Sequence, residues 1–237
     1  MIYDHLIRFD GDMKIVPDLA ERWSVAPDGI TWTFHLRPGV RFHDGAPLDA
    51  EAVEKNFERV LDPAQNHKRL PLFSMINRVE AVDPRTVRIV TKYPFGAFEP
   101  TMAHVSAAIV SPTVAATFGK SFGASAEATS GTGPYRIVRW KKDLEIVLER
   151  NDDHWGEKGR LERIVYRPLP EASSRVIALE AGDVDVITTI PPKDLARLEQ
   201  NPAVTIFKRV SIGAQQFRFN CARKPFTDPR VRQAISS

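Results

Sequence analysis

The residues that could do chemistry are few and scattered. The six histidines are His5, His35, His43, His67, His104 and His154. No two of them lie three or four apart, so no single helix face offers a histidine pair to a metal. His35 and His43 would meet across a hairpin beside Asp44, which would make a metal-holding or acid–base constellation. A polar strand face followed by a turn aspartate accounts for the same residues more simply. Asp183 and Asp185 fall on one face of an expected strand, and Asp152 adjoins Asp153. Paired carboxylates do acid–base work where burial splits their pKa values. Both pairs border turns, where solvation or capping is the simpler role. Trp32, Phe34, Trp140 and Trp155 read either as a stacking wall for a ligand or as core. Each sits where alternation or a turn already asks for an apolar residue. Cys221 is the sole cysteine, so the chain forms no internal disulfide and no cysteine zinc cluster; a small, buried or half-buried thiol is expected. The HExxH and P-loop spacings are absent.

The whole chain has 237 residues, 43% apolar and 27% charged, with a formal net charge of +3. That is ordinary for a globular protein. The basic residues are scattered, and pairs such as Lys68-Arg69 and Lys141-Lys142 read as solvated surface. A nucleic-acid groove would need a basic stripe with interleaved aromatics, and no nucleic-acid partner is expected. No apolar run is long enough to span a bilayer, and the first residues lack the pattern of a secretory leader.

The elements that must position these residues follow from periodicity. Trp32, Phe34 and Leu36 alternate with Thr31, Thr33 and His35, which predicts a strand with one buried face. Asp49 caps an expected helix over 50–61, with Val53, Phe57, Val60 and Leu61 at helical spacing. Segment 1–9 reads as a short helix or strand, 18–23 as an amphipathic turn, and 64–70 as loop. Runs 79–82 and 87–90 flank a turn and predict a hairpin. Further helices are expected over 97–104 and 112–118, a short strand over 107–110, and surface loop over 120–130. Runs 135–140 and 144–149 form a second hairpin, with Leu144, Ile146 and Leu148 inward. From residue 161 onward strands (161–167, 183–189, 204–208, 215–220) alternate with helices (172–181 and one opened by Pro191-Pro192). That pattern argues for an α/β lobe. Asp228 and Pro229 suit the cap and first turn of a last helix.

The chain is organised around GTGPYRIVRWKKDLEIVLERNDDHWG, residues 131–156. Its glycines are read as residues free to take positive φ. This run resembles a signature of the family-5 extracytoplasmic solute-binding proteins of ABC importers. Upstream, LAERWSVAPDGITWTFHLRPGVRFHDGAPLDAEAV resembles another block of the family; GDVDVI and KPFTDPRVRQAI resemble two more, in the right order.

The resemblance implies an α/β, periplasmic-binding-protein-like (type II) lobe carrying an inserted α+β subdomain. The lobe would comprise residues 1–23 and 131–237, the insertion 24–130. The family's second lobe is missing, so the chain reads as a fragment. The implied function is capture of a peptide-like solute (dipeptide, oligopeptide or glutathione) for an ABC permease in the membrane. The compartment implied is periplasmic or otherwise extracytoplasmic, with neither catalysis nor a cofactor. A sensor or chaperone module on the same scaffold, a nickel-chelate importer, and a hydrolase built on His35, His43 and Asp44 stand as alternatives. Relatives place ligand against positions matching Ser211, Gly213 and Gln215, against Leu72 and Phe73, and against the segment from His104 to Ala108. Nickel-binding relatives carry a tryptophan and an arginine near Leu72 and Ala108; both differ here, which argues against nickel.

Overall fold

A computed structural model describes residues 1–65, 67–208 and 218–236. It divides into two compact units, Met1–Pro168 and Leu169–Ser237, each described by itself.

The first unit opens with β1 (Ile7–Phe9) and β2 (Ile15–Pro17), an antiparallel ribbon closed by the Asp10 turn. Then come β3 (Ala20–Val25), β4 (Thr31–Leu36), the helix α1 (Ala50–Leu61) and the single turn α2 (Leu70–Phe73). β5 (Ile76–Asp83) and β6 (Thr86–Thr91) complete an antiparallel sheet of order β3-β4-β6-β5. The alternation in β4 is realised: Phe34 and Leu36 are fully buried, and Trp32 stacks on Phe98 at 4.4 Å between ring centres. α1 begins where Asp49 accepts a hydrogen bond from the Ala52 amide at 2.8 Å and stops at Asp62-Pro63. It lays Val53, Phe57 and Val60 across β5 and β6. Each such buried side chain contributes on the order of 1.5–3 kcal/mol.

Residues 20–23 of the expected amphipathic turn are strand, and 18–19 form the bend that leads into it. β4 is flanked on one side by β6, and its other edge takes its backbone partners from β3, with Trp23 opposite Phe34. Short helices α3 (Phe98–Met102) and α4 (Pro112–Phe118) follow. Between them the expected strand over 107–110 is absent. A 3-10 turn over Val105–Ala107 leads into an irregular run that hydrogen-bonds the N-terminal segment, Ile109 N to Asp4 O at 2.9 Å.

β7 (Tyr135–Lys141), β8 (Glu145–Arg150) and β9 (Arg163–Tyr166) form the second sheet, in that order. A bulge between Ile137 and Arg139 resets the alternation of β7. Leu144 is not inward: it sits in the turn and is 59% exposed. Val147 is buried instead, because β8 is the central strand and both its faces are covered.

The second unit carries α5 (Ala172–Glu180), α6 (Pro192–Glu199) and α7 (Pro229–Ser236). Gly182 follows α5 at φ 76°, a left-handed stop. Segments 183–189 and 204–208 form no strand. A strand exists through its hydrogen-bonded neighbour, and among the described residues neither run has one. Residues 218–220 are likewise outside any strand, and 215–217 lie outside the described residues. Cys221 is exposed, not buried as its composition suggested.

Candidate functional site

The first unit carries an open cavity of about 530 Å³. One wall is a face of the second sheet: Ile137, Trp140, Ile146, Leu148 and Tyr166. Cross-strand register puts them together, since Ile137 pairs with Leu148, and Trp140 with Ile146 and through it with Tyr166. The β7 bulge brings Ile137 and Trp140, three residues apart, onto the same face. The N-terminal segment adds Met1, Ile2, Tyr3 and His5 to the lining. Val105, Ala108, Gly123 and Thr129 complete it.

The GTGP turn holds the N-terminal segment in place. Gly133 N donates to Ile2 O at 3.0 Å and Tyr135 N to Met1 O at 3.1 Å. A Cβ on Gly131 would lie 2.2 Å from Ile2 O, and one on Gly133 would lie 2.3 Å from Met1 O. These glycines are therefore required for close backbone approach, and neither takes a positive φ. Asp4 fixes the segment from the side, accepting from Thr132 Oγ1 at 2.8 Å and from Trp155 Nε1 at 3.1 Å. The His5 amide donates to the buried Asp18 carboxylate at 2.9 Å.

Burial dominates the electrostatics. It pushes the Tyr3 phenol up, against a hydrogen bond with Thr129 and the charge of Arg59. It holds His5 below the usual histidine range, against a backbone hydrogen bond at Val105. It pushes Asp18 up to about 6, although Arg8 and Arg37 stand near.

The expected ligand residues are placed as follows. Ala108 lines the cavity, and its carbonyl accepts from Asn56 Nδ2 at 3.4 Å. His104, four positions earlier, caps the 3-10 turn by accepting from the Ser106 amide at 3.1 Å. Leu72 is 39% exposed on α2, and Phe73 beside it is fully buried against Phe57, 6.1 Å between ring centres. Neither lines the cavity. Ser211, Gly213 and Gln215 lie outside the described residues. Of the large aromatics, Trp140 faces the cavity, whereas Trp32 and Phe34 are core and Trp155 packs against it. The cavity residues that sequence reading missed are Tyr3, His5 and Tyr166. None carries a motif; the alternation of Ile146 and Leu148 and the stacking reading of Trp140 pointed towards this wall.

The catalytic constellations are occupied by structural bonds. His43 is clamped by the GTGP turn: its Nε2 bonds Gly133 O at 2.9 Å, and Gly131 N donates to its Nδ1 at 3.4 Å. Ser111 Oγ donates to Asp44 at 2.5 Å. His35 meets Thr86 across the first sheet at 3.4 Å, in a separate polar cleft with Glu21, Arg22 and Arg85. Among the described residues, no three or more histidine, cysteine or acidic side chains gather to hold a metal. Asp152 pairs with Arg150 at 2.8 Å, and Asp183 and Asp185 are exposed. Residues 119–123 spell GxSxG, which corrects the reading that the chain holds no such spacing. A nucleophile elbow needs a strand before the serine and a helix after it. Here α4 precedes and a 3-10 turn holds the exposed Ser121.

The chain belongs to the family described as "Bacterial extracellular solute-binding proteins, family 5 Middle", which it matches over residues 14–237. It is 37% identical over 235 residues to the glutathione-binding protein GsiB of Pectobacterium atrosepticum, covering 99% of this chain and 45% of that protein. The chain thus spans about half the length of the curated relatives it matches. Among solved structures, NikZ of Campylobacter jejuni in complex with Ni(L-His) superposes with a TM-score of 0.91 at 26% identity, over 99% of this chain and 47% of that one. DppA of Helicobacter pylori in complex with the peptide STSA superposes with a TM-score of 0.78 at 31% identity, over 85% and 43%. The fold is that of a type II periplasmic binding protein lobe. Among the described residues, no helix is long and apolar enough to cross a membrane.

Proposed function

We propose that this chain belongs to the substrate-binding component of an ABC importer, which captures a peptide-like solute outside the cytoplasm and delivers it to a membrane permease. Dipeptides, oligopeptides and glutathione are the candidate solutes. The observation that carries this is family membership across residues 14–237, joined to glutathione- and peptide-binding relatives. The cavity supports it, since an apolar wall with a few polar groups suits a small organic ligand. Ligand capture works by population shift, the ligand favouring the closed form that the permease recognises. No residue acts as a catalyst.

In this reading residues 1–23 and 131–237 make one lobe and 24–130 an insertion. α1, β4, β5 and β6 fall within the insertion, whereas four of the six residues of β3, 20–23, precede it. The hydrogen bonds from the GTGP turn to Met1 and Ile2 support joining the two outer segments. The test is calorimetric titration of the full-length gene product against glutathione, a dipeptide mixture and nickel–histidine. Tight binding of a peptide-class ligand is expected. Binding of nickel–histidine alone, or of none of the three, would overturn the reading.

A further inference from the structure

Arg59, on α1, carries a charge that no carboxylate compensates among the described residues. Its Nη2 donates to Asn56 Oδ1 at 3.3 Å, its Nε is buried without a hydrogen-bond partner, and its guanidinium stands 5.4 Å from the Phe122 ring centre. Each neighbour leads to the cavity. Asn56 donates to Ala108 O, Phe122 adjoins Gly123, and the Arg59 charge acts directly on the Tyr3 phenol. Ala108, Gly123 and Tyr3 all line the cavity, and among the described residues that lining holds no aspartate or glutamate. Burial and the Arg59 charge both disfavour protonation of His67, and a histidine, neutral or cationic, balances no guanidinium. A half-buried cation without a counter-ion is costly on its own and attracts negative charge to the nearest cavity.

We propose that the end of the cavity at Tyr3, Ala108 and Gly123 is a subsite for a carboxylate of the ligand, with Arg59 the specificity-determining residue that supplies counter-charge from behind the wall. The proposal rests on reading the cavity as the ligand site. The apolar sheet face would take an uncharged part of the same molecule.

The test is calorimetric titration of the full-length gene product with glutathione and with alanyl-phenylalanine, each as free acid and as carboxamide. The wild type should prefer the free acid by about tenfold or more. Arg59→Gln should reduce that preference to about twofold or less. Ala108→Asp, which brings a competing carboxylate to the same end, should abolish the preference while the melting temperature holds or rises. It decides the matter alone if Arg59→Gln does not fold. Unchanged preference in both variants would overturn the Arg59 assignment and leave the cavity reading standing. Failure of the wild type to bind either form would overturn both.

Discussion

Asp18 offers the sharpest quantitative test of the packing around the N-terminal segment. Its carboxylate is buried, accepts the His5 amide at 2.9 Å, and has Arg8 Nε at 3.7 Å. Arg37 spends its Nε on the Asp18 main-chain carbonyl. Burial outweighs these partners and raises the carboxyl from 3.8 to about 6. Between those values the folded state holds a proton that the unfolded state has released. Stability therefore falls as pH rises through this window, and the full cost persists above pH 6. A shift of that size corresponds to about 3 kcal/mol. Asp18→Asn is nearly isosteric and keeps an oxygen for the His5 amide. It removes the charge and gives up the attraction of Arg8, which is half-exposed and so worth little. Urea unfolding of wild type and variant, followed by tryptophan fluorescence from pH 4 to pH 7, reads the difference directly. The two should be nearly equal at pH 4, with the variant gaining about 3 kcal/mol by pH 7. Subtraction removes contributions from groups common to both proteins, His43 included. A difference that stays flat with pH, or a variant less stable at pH 7, would refute burial as the dominant effect.

Other perturbations follow the same logic. His43 is held below the usual histidine range by burial, so its contribution is present above about pH 6.5 and lost as pH falls through its folded value. His43→Leu should cost roughly 2 kcal/mol at pH 7, from two lost bonds to the GTGP turn, and less at pH 5. Gly133→Ala drives a methyl into the Met1 carbonyl and should cost about 1–3 kcal/mol in denaturant unfolding. It should also weaken ligand binding in titration, because Met1, Ile2 and Tyr3 line the cavity. Phe73→Ala should destabilise by about 3–5 kcal/mol, while Leu72→Ala next to it should change stability by less than about 0.5 kcal/mol. Equal effects at these two positions would contradict the burial assigned to them.

What could be read in the sequence was whatever depends on near neighbours in the chain. The α1 cap at Asp49, its stop at Asp62-Pro63 and the inward face of β4 all came through, because period and capping are local signals. Position 183–189 shows where local signal ends. Val184 and Val186 alternate with Asp183 and Asp185 as a strand should, yet among the described residues no strand pairs with the run, and Val186 is 80% exposed. The GTGP glycines show a different limit. Their need is set by the carbonyls of Met1 and Ile2, about 130 residues away in sequence, and no turn rule could supply it. The cavity wall depends on such distant facts twice over. A single bulge in β7 decides that Trp140 joins Ile137 on the cavity face, and cross-strand pairing decides that Tyr166 joins them. Simple alternation would have put Trp140 and Ile137 on opposite faces. Ala108 was placed by resemblance alone, and its own chemistry is silent. What gives that position meaning is the charge of Arg59, uncompensated among the described residues and linked to it through Asn56. The discriminating residue of such a site need not touch the ligand, so a survey of lining residues alone would overlook it.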